Sequence, residues 1–282
     1  MTTALALPLP DALDAAYAAG APLDAWNPIY AELRASTPDS RSTDLDDQQL
    51  DLLIRHITAP AVMVLAVEAA GVARRVRVGI HGGEATVESS ENDPEAALEL
   101  SHWSEAALED LPRLLADALP ADSPLSASPQ LTVRSDATAL RLGTEHLSRL
   151  QELLQAGHAP HEAFARLESL ESLDPRLQDA LTATGDRASL SLTLHAADPA
   201  VLERPVSFSR LWNCGELGTY RTDASDQPGI DVVPVQAGDV LGTGLPLLER
   251  AIRFASEATA RPRTDTPHSN DNAGHKGGEH LS

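Results

Sequence analysis

The chain has 282 residues, enough to bury a sizeable core without disulfides or metals, and only nine of them are aromatic, which argues against a large ring-lined cofactor pocket. Forty-two acidic residues against 21 basic ones give a formal net charge of -21, which repels phosphate backbones and anionic headgroups and excludes nucleic acid as an expected partner. The single Cys214 allows no intramolecular disulfide and fits a reducing cytoplasm, while no run approaches the ~20 apolar residues of a membrane span.

The apolar start, residues 1–10, lacks a preceding basic segment, so no export signal is expected. A helix is predicted over 44–57, capped by Thr43, with Leu50, Leu53, Ile54 and Ile57 on one face and Pro60 beyond its end. Four strands follow at 61–67, 73–80, 84–88 and 97–101, punctuated by Gly71, Gly82, Gly83 and the polar stretch 89–95. In the second of them Val76, Val78 and Ile80 alternate with Arg75, Arg77 and Gly79, the pattern of a half-exposed strand. Leu108, Leu111, Leu114, Leu115 and Leu119 close this half with a helix that Pro112 kinks or restarts behind Asp110.

Residues 120–130 are rich in Pro and Ser and read as a linker. Three helices come next. Thr144 caps one bearing Leu147, Leu150, Leu153 and Leu154, Pro160 opens one with Phe164 and Leu167, and Asp174–Pro175 opens one that ends by Gly185. Strands at 188–195, 205–212, 217–222 and 230–233 then precede a helix over 245–256. Four strands and a helix thus occur twice. Residues 81–87 lie over 214–220 at an offset of 133, and Leu111–Pro112 lies over Leu245–Pro246 at 134, which points to an internal duplication.

The predicted fold is α/β in the broad sense (α+β): a quasi-two-fold doubled unit of mostly antiparallel strands followed by a helix, its central sheet flanked by helical bundles. The expected organisation is an N-terminal half at 1–120, a linker at 121–130, a C-terminal half with a helical bundle at 131–257 and a disordered polar tail at 258–282.

No reactive centre emerges. There is no G-x-S-x-G serine turn, and Gly238, Gly242 and Gly244 lack the Gly-Lys-Ser/Thr ending of a phosphate loop, with Pro246 suiting a plain helix entry. His158, His161 and Glu162 fall at a helix-to-helix turn that does not converge them on a metal, and the tail histidines His268, His275 and His280 imply nothing functional. Cys214 has no base or cation beside it in sequence to make it a nucleophile. Arg74, Arg75 and Arg77 form the densest basic cluster, read either as a partner contact or as a solvated strand face. No catalytic residue, metal or cofactor is expected.

The segment Trp212-Asn213-Cys214-Gly215-Glu216-Leu217-Gly218-Thr219-Tyr220 resembles a hairpin of the EspG family, chaperones of ESX (type VII) secretion in actinobacteria, which reads W-x-D-T-x-x-G-R-Y. Trp212, Gly218 and Tyr220 agree, whereas Cys214 and Thr219 replace the Asp and Arg, as in a divergent member. The helix ending at Ile57, followed by Ala59-Pro60 and a strand, resembles the family's leucine-rich helix, "ARP" and strand. The resemblance, which runs from about Leu9 to Ser256 as an order of elements, implies a non-enzymatic cytoplasmic chaperone. Its client would be a secreted helical-hairpin protein or heterodimer, PE/PPE-like or WXG-like, kept soluble before export without membrane insertion. Family contacts carried over fall on Gly82, Gly83, Ser89, Ser90 and Asn92 in the first half, and on Leu150, Leu154, Phe164 and Leu167 in the bundle at 146–181. Alternatives are an enzyme with a site between the halves and a self-associating scaffold, for which concentration-dependent oligomers without a bound partner would be the sign; a weak homodimer is a further expected partner state.

Overall fold

A computed structural model describes residues 4–21, 27, 29–30, 33, 45–92, 100–127, 138–168, 174–195, 205–224 and 228–260. In the first half, β1 (Ala4–Leu7) and α1 (Leu9–Ala18) precede α2 (Asp47–Ile57), strands β2 (Ala61–Ala69), β3 (Val72–His81), β4 (Glu84–Asn92) and β5 (Ser101–Ala106), and α3 (Leu111–Asp117). The second half repeats the plan. It has β6 (Leu140–Gly143), helices α4 (Thr144–Gln155), α5 (Pro160–Glu168) and α6 (Pro175–Thr182), then β7 (Arg187–Leu194), β8 (Val206–Cys214), β9 (Thr219–Ala224), β10 (Gly229–Val235) and α7 (Asp239–Ala260). All ten strands among the described residues join one antiparallel sheet in the order β1-β5-β4-β3-β2-β7-β8-β9-β10-β6. The order reads the same from either edge inward. The halves meet where β2 pairs with β7, from Ala61 opposite Leu194 to Glu68 opposite Arg187.

Strand alternation gives the sheet two unlike faces. Met63, Leu65, Val78, Ile80, Leu190, Leu192 and Trp212 point one way and form the main core with Leu111 and Leu115 of α3 and Val240, Leu248 and Ala251 of α7. On the other face three separate cores form. Leu52 and Leu53 of α2 pack with Ala12 and Trp103, and Ile57 packs with Leu13, Ala16 and Tyr30. At the far end Leu142, Phe164, Leu177, Ala180, Tyr220 and Val232 form the third.

Face parity corrects the offset of 133 proposed for the hairpins. An odd offset would place Val78 of the main core over Leu211, which points to the opposite face. At 134, Val78 lies over Trp212 in the same core, and the hairpins share one offset with Leu111–Pro112 and Leu245–Pro246.

Several boundaries also differ from the sequence reading. Asp46, not Thr43, caps α2, because Gln49 stands three residues on and closes a reciprocal capping box; Thr43 lies outside the described residues. The fourth strand runs Ser101–Ala106, beyond the expected end at 101, since Trp103 is the side chain that reaches the core; residues 97–99 of the expected strand lie outside the described residues. Pro112 restarts the helix after a 3-10 turn at Leu108–Asp110, but the Asp110 side chain makes no capping bond. Thr144 is likewise the first residue of α4, not its cap. Helix α7 begins at Asp239, so Gly242, Gly244 and Pro246 are interior helical residues instead of a loop and an entry. That helix runs to Ala260, two residues into the expected tail, and residues 261–282 lie outside the described residues. The first part of the linker is packed: Leu125 is buried in the main core and Ser123 Oγ donates to Asp186 at 2.6 Å. Residues 128–130 of it are outside the described set.

Candidate functional site

The two helical layers on the second face stand over opposite ends of the sheet and leave its middle open at the 66–68 end of β2. A groove of about 430 Å³ lies there, across the junction of the halves. Its floor is two registers of five strands. One runs Asn92, Ala73, Glu68, Arg187, Asn213, and the next runs Ser90, Arg75, Ala66, Ser189, Leu211. Arg187 pairs with Glu68 across the β2–β7 seam. Arg74, at the rim, donates to Glu91 at 2.9 Å. Leu211 is 48% exposed on one side, while the Ser90 hydroxyl, on a residue only 5% exposed, makes no hydrogen bond with any described residue.

Behind Arg75 the next register leads into a closed ionic cluster. Glu88 accepts from Arg77 Nη1 at 2.6 Å, from Ser101 Oγ at 2.8 Å, from Tyr30 Oη at 3.3 Å and from Arg75 Nη2 at 3.5 Å. Arg77 also stacks over the Tyr30 ring at 5.3 Å. Burial pushes the Glu88 carboxyl up, but Arg77 and Arg75 outweigh it and hold its pKa below the usual value. Burial drives His56 down to about 4, so its imidazole is neutral at pH 7 and its 4.0 Å approach to Glu88 is not an ion pair. Burial, and then Glu88, raise the Tyr30 hydroxyl well above 10. Among the described residues only Arg75, with a side chain 27% exposed, links this cluster to the groove; Glu88 and Arg77 are sealed. A general acid or base must reach its substrate, and these carboxylate and imidazole groups do not. The cluster instead fastens α2 and Tyr30 to β3, β4 and β5. The half-exposed reading of β3 is thereby corrected: from Arg77 to Ile80 both faces are buried.

The structure separates the sequence-derived contact residues. Ser89, Ser90 and Asn92 lie in β4, not in a loop, because β4 continues to Asn92 in register with β3. Ser90 and Asn92 line the groove, whereas Ser89 faces the main-core side. Gly82 and Gly83 form the β3–β4 turn at the opposite end of the hairpin. In the bundle Leu154 is 41% exposed and Leu150 is half-buried against the third core, but Phe164 and Leu167 are fully buried. Their side chains hold α5 in place, so they offer no contact surface without repacking. Arg187, Ser189, Leu211 and Asn213 went unremarked as site residues; Arg75 was signalled by its basic cluster.

The hairpin residues that match the family pattern are structural. Trp212 Nε1 donates to Asp239 Oδ2 at 2.8 Å, tying β8 to the start of α7, and Tyr220 is buried against α6. Asp179 accepts from the backbone N–H groups of Glu216 and Leu217 at 2.8 and 2.9 Å and so fixes the hairpin tip. The Cys214 thiol lies 3.7 Å from Thr219 Oγ1 and burial pushes its pKa up, the opposite of activation. His158 approaches Glu162 at 3.7 Å, and among the described residues no three His, Cys, Asp or Glu side chains gather as metal ligands. No helix among them is long and apolar enough to cross a membrane.

No protein-family model matches the chain, and no curated protein matches it in sequence. Among solved structures it is similar to the Mycobacterium tuberculosis type VII secretion system chaperone EspG5, solved in complex with a PE25–PPE41 dimer. That likeness has 12% identity and a TM-score of 0.47, and covers 88% of this chain and 96% of that one. A protein assigned as a thioesterase II from Thermobifida fusca matches at 11% identity and a TM-score of 0.19, over 62% and 77% of the two chains. HtdX of M. tuberculosis matches at 13% and 0.15, over 83% and 98%.

Proposed function

We propose that this chain is a non-catalytic, cytoplasmic chaperone or adaptor that binds a secreted helical-hairpin protein or heterodimer, PE/PPE-like or WXG-like, ahead of type VII export. The observation that carries the reading is the doubled sheet itself. The two halves join through β2 and β7 and leave an open face between two helical layers, and the second half carries the Trp212, Gly218 and Tyr220 that match the EspG hairpin pattern. A broad, shallow, mixed surface suits a macromolecular partner better than a small substrate, which is normally enclosed. Covering an apolar helical tip of a client removes that tip from water, and the charge of -21 keeps the complex soluble.

Co-expression with candidate helical-hairpin heterodimers, followed by size-exclusion chromatography with light scattering, tests this. A stoichiometric complex is expected. A chain that elutes alone with every candidate contradicts the proposal, and a concentration-dependent oligomer without a client would favour a scaffold.

A further inference from the structure

Three features of the groove point to the chemistry of what enters it. Arg75 and Arg187 line it in a chain of net charge -21, against Glu68 as the sole acid among its described lining residues, while the Arg74 side chain alternates to the other face and is held by Glu91. Ser90, a residue 5% exposed whose hydroxyl makes no hydrogen bond with any described residue, lines the same space. A hydroxyl that no described residue engages, paired across the strands with a guanidinium, is a donor pair for an acceptor from outside. The fold does not demand this chemistry: at the offset of 134 that relates the halves, Arg75, Arg77 and Ser90 correspond to Ser209, Leu211 and Ala224. At these three positions the first half carries two guanidinium groups and a hydroxyl, and the second half carries one hydroxyl and two apolar side chains.

We infer that the groove is a receptor for a carboxylate side chain of the bound partner, taken up between Arg75 and the Ser90 hydroxyl with its methylenes against Ala66 and Leu211. This rests on the proposed function for the identity of the occupant. Glu68 is the internal competitor, since it already holds Arg187. An incoming carboxylate gains most where that competitor is removed.

Glutarate titrated into the full chain at constant ionic strength, read by thermal denaturation against sodium chloride, probes the site without a partner. Glutarate is expected to raise the melting temperature beyond chloride. Ser90→Ala should weaken its binding about tenfold or more, the loss of one charge-assisted hydrogen bond, and Glu68→Gln should tighten it. Failure of glutarate to exceed chloride, or movement of the two variants in the same direction, overturns the inference. The same variants are then assayed on the helical-hairpin complex. If the complex forms and ignores both, the groove reading fails while the proposed function stands. If no client binds but glutarate does, the proposed function fails and the site serves a small acid, which contradicts a partner's side chain as occupant.

Discussion

His56 is buried beneath α2 with its pKa near 4, against 6.5 for a free imidazole. Between those values the unfolded chain takes up a proton that the folded chain refuses, so this contribution to stability is complete above pH 6.5 and is lost as the pH falls toward 4. A shift of that size amounts to about 3 kcal/mol. His81, also lowered, first by burial, acts on the same side, as does Glu88, whose depressed pKa makes its contribution fade below the ordinary carboxylate range. Urea unfolding across pH 7 to 4 should show this loss, and His56→Gln should flatten the part between 6.5 and 4.5; an unchanged slope would contradict a neutral, buried His56. Gly79 sits under the same helix. An added Cβ there would lie 3.0 Å from Ala59 Cβ, His56 O and Thr86 Oγ1, so Gly79→Ala should cost about 1–3 kcal/mol by chemical denaturation. A neutral result would show that α2 is not pressed against β3. Neither Glu88 nor His56 could be singled out from sequence, because their meaning comes from partners 11 to 58 residues away.

Helix α7 shows how local signals mislead at the scale of an element. Gly242, Gly244 and Pro246 read as a loop and a helix start, yet the helix runs straight through them because Val240, Leu241, Leu248 and Ala251 all bury on the sheet. Tertiary burial outweighs a weak propensity. A Cβ on Gly244 would meet only Leu190 Cδ2 at 3.4 Å and Met63 Cε at 3.6 Å, ordinary contacts. Gly244→Ala should therefore raise stability by about 0.5–1 kcal/mol, measured as a shift in the urea midpoint; a loss would mean that α7 lies closer to β2 and β7 than described. Elements with a long apolar period, such as α2, β2 and β7, were legible in the sequence. Strands β1 and β6 were not, since four residues carry no period, and neither was the polar end of β4, whose Ser90 and Asn92 face a groove rather than a core.

For the whole molecule, duplication was legible as a repeated order of elements, but its register was not. Only the two faces of the sheet distinguish an offset of 134 from one of 133. The open surface was equally hidden, because it belongs to neither half and exists only where β2 meets β7. On the bundle, exposed Leu154 is the apolar side chain best placed to meet a client without disturbing the fold. Leu154→Glu should weaken a client complex at least about tenfold while moving stability by less than about 0.5 kcal/mol. An undiminished complex would take α4 out of the interface.

Hydrogen–deuterium exchange of the full chain, alone and with a helical-hairpin heterodimer, tests most directly whether this doubled sheet is a docking body. Slowed exchange is predicted at residues 64–76, at 187–191 with 209–213, and along α4. Exchange that is identical with and without every heterodimer, or slowed only on the α3 and α7 side, would contradict it.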